Sequence, residues 1–263
     1  MVTVTNLRGD YSRAGADYAV EQDWSAYTPQ EHALYRRLFE RQSKWVPRYA
    51  CREWIEAIGR LEGAAREIPK FAKISRPLRA ATGWEIVAVP GLIPDEAFFT
   101  HLANRRFPVT VWLRRPDEFD YIVEPDVFHD FFGHVPLLFD RTYADHLYEY
   151  GKGGLKAMRL DAVKLLARLY WFTIEFGLMR TPSGIRAYGA GLLSSGGELA
   201  YCVDDPRPRR LPFELERIMR TEYQIDRYQD TYFLIDSFDQ LMRETAPDFT
   251  PIYARLRSLP ALH

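Results

Sequence analysis

The run LLARLYWFTIEFGLM, residues 165–179, carries only two charges, Arg168 and Glu175, and a fold that buries it must find a partner for a carboxylate. Trp171, Glu175 and Leu178 share one stripe of a helix, so an acid lies on the same face as a large ring and an aliphatic group. Taking an unpaired carboxylate out of water costs roughly several kcal/mol. The acid therefore needs an arginine, a proton or a metal ion.

A second stretch, FHDFFGH at 128–134, sets two histidines five residues apart in a run otherwise dominated by phenylalanine. In an ideal helix a five-residue step turns about 500°, leaving the two rings roughly 140° apart. Gly133 can supply a break, so the sequence predicts a short helix begun by Pro125 and Asp126 and ending near His129, with His134 just past a bend. The spacing is not the HExxH of zinc proteases. Two histidines and a carboxylate make the facial set of non-haem Fe(II) oxygenases, and the same donors fit catalytic zinc. Spacing alone does not choose the metal. A structural metal site would be closed by a fourth ligand, for which Cys202 is the only downstream candidate.

The bulk properties narrow the setting. With 47% apolar residues in 263, the chain can bury a large core. Its 35 basic and 36 acidic side chains nearly cancel, which favours neither nucleic acid nor an anionic membrane as partner. Charges interrupt every apolar run before it reaches membrane-spanning length, and no cationic, hydrophobic leader opens the sequence. Cys51 and Cys202 are too few for a disulfide framework. A cytoplasmic protein is expected.

Along the chain, residues 1–25 are polar and aperiodic and are expected to form a flexible segment before a single domain over 26–263. Thr28, Pro29 and Glu31 have the pattern of an N-cap, a first-turn proline and a capping box. Helix is predicted from there, with a second helical stretch over 45–61 and a break near Pro47. TGWEIVAVPGL (82–92) and FPVTVWL (107–113) read as strands, and from Pro125 the pattern is mostly helical, most regularly over 155–179. Arg105–Arg106 and the RPRR at 207–210 read as solvated loops. The expected fold class is mainly α with a few short β-strands. YGAGLLSSGGE (188–198) begins like a dinucleotide loop, but it lacks the third glycine and no clear strand precedes it.

Three segments, EPDVFHDFFGHVPLL (124–138), YWFTIEFGL (170–178) and IRAYGAGLLSSGGELAYC (185–202), resemble the signature segments of the pterin-dependent aromatic amino acid hydroxylases. Weaker similarity around TGWEIVAVPGL and LPFELE extends the match to roughly residues 80–220. The resemblance implies a helix-rich catalytic domain binding Fe(II) and tetrahydrobiopterin or a related reduced pterin. O2 is divided between the pterin and the ring of an aromatic amino acid. It assigns His129, His134 and Glu175 as metal ligands and catalytic centre. For the pterin it implies Gly91, Leu92, Ile93, Phe98 and Asp130. For the substrate it implies Arg114 on the carboxylate, steadied by Asp126, with Pro125, Trp171, Phe176, Gly191 and Ser194 around the rest. Trp171 stands where tryptophan hydroxylases carry phenylalanine, and Ile225 where tyrosine hydroxylases carry aspartate. The expected reaction is therefore L-phenylalanine to L-tyrosine, with tryptophan or tyrosine hydroxylation as the near alternative and a zinc-dependent hydrolase as the distant one. No heptad run follows, so a monomer is expected.

Overall fold

A computed structural model describes residues 7–61 and 63–262. The expected α-rich architecture is found. The helices are α1 (Pro29–Ser43), α2 (Val46–Tyr49), α3 (Arg52–Ile58), α4 (Phe71–Thr82), α5 (Asp95–Leu102), α6 (Arg141–Arg159), α7 (Val163–Tyr170), α8 (Ala190–Ser194), α9 (Glu198–Asp204), α10 (Leu215–Arg220), α11 (Phe238–Thr245) and α12 (Thr250–Leu256). One apolar cluster runs through them from Leu34 to Leu256. The capping box forms as read: the Thr28 hydroxyl accepts from the Glu31 amide, and Glu31 reaches back to the Thr28 amide. Pro47 lies in the first turn of α2, so the chain breaks where the proline required it.

The two expected strands are shorter than their apolar runs. β1 (Glu85–Val89) and β2 (Arg106–Thr110) pair in parallel, joined through α5. β1 cannot start at Thr82, because α4 runs that far and is closed by Gly83 at φ 81°. A second sheet was not foreseen. β3 (Leu178–Thr181), β4 (Gly184–Ala187), β5 (Arg209–Pro212) and β6 (Thr231–Ile235) assemble in the order β4-β3-β6-β5. β6, TYFLI, is buried at every position, as a central strand with parallel neighbours on both sides demands.

The basic patches are not free loops. Arg106 opens β2 and pairs with Asp17, and Arg105 pairs with Asp145 at 2.6 Å. Arg210, inside β5, donates to the carbonyls of Tyr201 and Cys202. Of the segment expected to be flexible, residues 1–6 lie outside the described residues. Beyond them, Arg8 pairs with Glu118, the Tyr11 hydroxyl donates to the Leu92 carbonyl (2.8 Å), and the Val20 amide donates to Ala88 in β1.

The predicted bend at Gly133 is absent. His129–His134 is one continuous π-helical segment, and Trp171–Glu175 is another. The expected regular helix over 155–179 is therefore interrupted three times: at Asp161, where φ is 49°, in the π segment, and at β3. Hydrogen bonds from i to i+5 widen the turn by a residue, so side chains five apart come round to one face. Gly133 serves a close approach instead. A Cβ there would lie 2.8 Å from both the Cβ and the carbonyl oxygen of Ala190, at the start of α8. Phe128, Phe131 and Phe132 fill the core behind the segment, with the Phe128 and Phe132 rings stacked at 4.9 Å. Each such ring contributes about 1.5–3 kcal/mol on burial.

The glycines of α6 separate two effects that one residue type can have. A Cβ at Gly151 would meet the Ala103 amide nitrogen at 2.5 Å, whereas one at Gly153 would meet nothing within 4 Å. Thermal unfolding should show Gly151→Ala destabilised by about 1–3 kcal/mol through overpacking. Gly153→Ala should be stabilised by about 0.5–1 kcal/mol through helix propensity.

Candidate metal centre

The two π segments bring the three candidate ligands together. Glu175 Oε1 lies 3.2 Å from His134 Nε2 and Glu175 Oε2 lies 3.6 Å from His129 Nε2, while the imidazole planes stand at 80° with centroids 5.2 Å apart. One donor atom from each residue falls within 4.8 Å of the others, close enough for a single ion.

An arginine partner for Glu175 is ruled out by where the arginine of the same run goes. Arg168 donates to the Met219 carbonyl and pairs with Glu222, and among the described residues Glu175 is paired only with the two imidazoles. Those contacts are not an ordinary ion pair either. Burial pushes the His129 ring down to about 4, against the pull of Glu175, so the neutral imidazole is the form present near neutral pH. Burial works against ionisation of Glu175 as well. The His134 charge and hydrogen bond, His129 and the Gly191 amide nevertheless hold its carboxyl below the ordinary range.

The tautomer of His129 follows from its other nitrogen. Ser194 Oγ donates to the Ala190 carbonyl at 2.8 Å, so its lone pairs are left to accept from His129 Nδ1, also at 2.8 Å. The proton then sits on Nδ1 and the Nε2 lone pair faces Glu175. His134 Nδ1 is buried with no hydrogen-bond partner among the described residues. Its ring is held by packing, with Phe107 at 4.9 Å and Tyr170 at 6.4 Å. A borderline-hard donor set of two imidazole nitrogens and a carboxylate fits a divalent transition metal. Cys202 does not belong to the cluster: its thiol donates to Leu199, and burial pushes it well up.

The helix α8 spans both segments. Ala190 packs on Gly133, Ser194 holds His129, and a side chain on Gly189 would collide with the Glu175 carbonyl. The segment that begins like a dinucleotide loop is thus the wedge that sets the two ligand-bearing segments at their spacing. Two residues that sequence reading missed anchor its end. Gln42, from α1, donates to the carbonyls of Leu193 (2.6 Å) and Ser195 (2.9 Å), and Arg41 donates to the Ser194 carbonyl (3.4 Å) and, beside it, to the Phe119 carbonyl (2.8 Å). Neither belongs to a local motif, so no sequence signal marks them.

Arg114 is buried and held by Asp126 through Nε (2.8 Å) and Nη2 (3.0 Å), and Asp126 also accepts from the backbone amides of Arg114 and His129. Burial would raise the Asp126 carboxyl, but the Arg114 charge and these bonds keep it low. One acid thus fixes both the arginine and the first turn of the histidine segment. Trp171 lies 4.6 Å from Phe176, and Pro125, Phe176 and Gly191 are half-buried. Leu92, Ile93 and Phe98 are half-buried too, and Phe98 stands edge-on to Tyr170, the ring beside His134. Gly91 is covered: a Cβ there would meet Glu124 at 2.8 Å and Tyr11 at 2.9 Å. Asp130 turns towards β2, where it accepts from the Thr110 amide (2.8 Å), and burial pushes its carboxyl up to about 7.

Comparison with known proteins agrees with this arrangement. Residues 8–254 match the model of the biopterin-dependent aromatic amino acid hydroxylases. The phenylalanine-4-hydroxylase of Chromobacterium violaceum is 57% identical over 240 residues, covering 91% of this chain and 81% of that protein. That of Ralstonia nicotianae is 54% identical over 244 residues, covering 93% and 78%. The solved structure of the Chromobacterium violaceum enzyme with iron and phenylalanine bound superimposes with a TM-score of 0.91 at 54% identity, over 95% of this chain and 91% of that one.

Loss of the Ser194 hydroxyl leaves His129 free to turn and to change tautomer. Ser194→Ala should weaken divalent metal binding about 10–100-fold, as removal of an outer hydrogen-bond partner typically does. Competition against a chromophoric chelator measures this, with circular dichroism reporting an unchanged fold.

Proposed function

The chain belongs to the biopterin-dependent aromatic amino acid hydroxylases, and from that premise we propose that it hydroxylates L-phenylalanine to L-tyrosine, using Fe(II), tetrahydrobiopterin or a related reduced pterin, and O2. The observation that carries this reading is the convergence of His129, His134 and Glu175 with no fourth protein donor in the described cluster. A metal held by three residues keeps positions open for reactants, whereas a structural site is closed. Bound together, iron and the reduced pterin supply the activation of O2 from which one oxygen atom is placed on the ring.

The protein's own share is placement. His129 and His134 would present ring nitrogens and Glu175 a carboxylate oxygen to the metal. Arg114 offers guanidinium N–H groups to the substrate carboxylate, already oriented because Asp126 occupies its other edge. Trp171, Phe176 and Pro125 bound the aromatic ring, with Gly191 and Ser194 at the amino-acid end. Gly91, Leu92, Ile93, Phe98 and Asp130 would hold the pterin, with the Phe98 ring and the backbone of 91–93 as its supports. Holding both reactants at short range converts an encounter into a fixed geometry, the largest contribution an enzyme makes when its cofactors do the chemistry. Apolar walls around the centre limit wasted oxidant.

Phenylalanine is favoured over tyrosine and tryptophan by Trp171 and Ile225. The indole would narrow the slot against a bicyclic substrate; Ile225, where tyrosine hydroxylases carry aspartate, is apolar and exposed. The protein has no helix among its described residues long and apolar enough to cross a membrane. We assign it to the cytoplasm as a monomer with small-molecule partners only, because its charges balance and no nucleic-acid surface is needed.

With Fe(II), reduced pterin, O2 and L-phenylalanine, the purified protein should form tyrosine, and the Zn(II)-loaded protein should not. Activity without pterin or O2 would contradict the reading, and faster turnover of tyrosine or tryptophan would overturn the substrate. Arg114→Ala should raise KM for phenylalanine at least about tenfold, the loss expected from one charge-assisted pair.

A further inference from the structure

Trp171 has a polar partner that no motif marks. Its indole Nε1 donates to Gln229 Oε1 at 3.1 Å. The carboxamide orientation is fixed by its other end: Nε2 donates to the carbonyls of Gln224 (2.7 Å) and Arg227 (3.3 Å), so the oxygen must face the indole. Gln229 is 3% exposed, and its backbone amide donates to Glu198 Oε1 (2.9 Å), which also accepts from the Tyr232 hydroxyl in β6 (2.6 Å). The indole lies stacked on Tyr223 at 4.3 Å and 15°. Residues 223–229 are therefore gathered around one glutamine that is pinned from β6 and α9 and that grips the ring of the π segment ending in Glu175.

We propose that Gln229 is a positioning residue for the aromatic substrate: it locks the Trp171 indole as a rigid wall of the ring slot and holds the 223–228 loop against it. The inference rests on the hydroxylase reading, because Trp171 borders the slot only if an aromatic substrate enters there. Without Gln229, the half-buried indole donor and two carbonyls of the loop lose their protein partner. The side chain is then free to turn, and the slot loses its fixed edge. The ligands at the metal are untouched, since none of the three bonds to Gln229.

The test combines a spectrum with a mutant cycle. In protein labelled at its six tryptophans, Trp171→Phe identifies the Trp171 indole N–H signal. Gln229→Met, which keeps the length and removes the carboxamide hydrogen bonds, should move that signal upfield. It should also raise KM for phenylalanine about three- to tenfold, the range one lost hydrogen bond supplies, with kcat within about twofold. Trp171→Phe should act alike, and the double variant should be no worse than the more affected single variant, because both changes break the same bond. If Gln229→Met folds poorly, Gln229→Asn, one methylene short of the indole, serves in its place. An unmoved indole signal, an unchanged KM, or fully additive effects would overturn the proposal. Absence of tyrosine formation by the unmodified protein would instead overturn the hydroxylase reading, and the indole shift would still report on the bond.

Discussion

A carboxylate buried between two imidazoles has given up its hydration, and the rest of the molecule is arranged to hold it there. A cation shared by all three donors completes the arrangement. Keeping three donors within 4.8 Å demands two segments in π register and a short helix between them. α8 meets that demand by touching the glycine of one segment, the histidine nitrogen behind it and the backbone of the other. The cost of two irregular turns is offset by phenylalanines packed behind them and by the Trp54 indole, which donates to the Phe132 carbonyl at 3.2 Å.

The binding groups hang from the same frame. Asp126 accepts from Arg114 and from the His129 amide, so the proposed substrate clamp and the ligand segment share one buried anion. On the other side Tyr170 lies between Phe98 and His134, tying the proposed pterin side to the ligand set through ring packing. Gln42 and Gln229 steady the ends of α8 and the loop beside Trp171 from distant parts of the chain. Each anchor is a buried polar side chain with its hydrogen bonds met, which fixes geometry more sharply than apolar contact does.

What the sequence disclosed follows how local each feature is. The Thr28–Glu31 cap forms from four adjacent residues and could be read directly. The ligands could be nominated because an isolated acid in an apolar run and a pair of histidines are chemical anomalies wherever they fall. Their geometry could not: with ordinary helical angles His129 and His134 diverge, and only the packing of α8 makes the wider turn the better choice, so Gly133 was read as a hinge when it is a contact. β6 was missed because a short apolar run has no period to distinguish strand from buried helix. The arginines of β5 looked solvated because their acceptors, carbonyls of α9 for Arg210 and the Thr231 hydroxyl of β6 for Arg209, lie near them only after folding. Gln229 is likewise anonymous in sequence, since its role depends on an indole 58 positions away.

X-ray absorption at the iron edge of the Fe(II)-loaded protein bears most directly on the central claim, that two imidazoles and one carboxylate grip a single ion and leave room beside it. The account predicts one iron per chain, a first shell of nitrogen and oxygen only, and outer-shell scattering from two imidazoles. A sulfur in the first shell, fewer than two imidazoles, or an ion saturated by protein donors would contradict it.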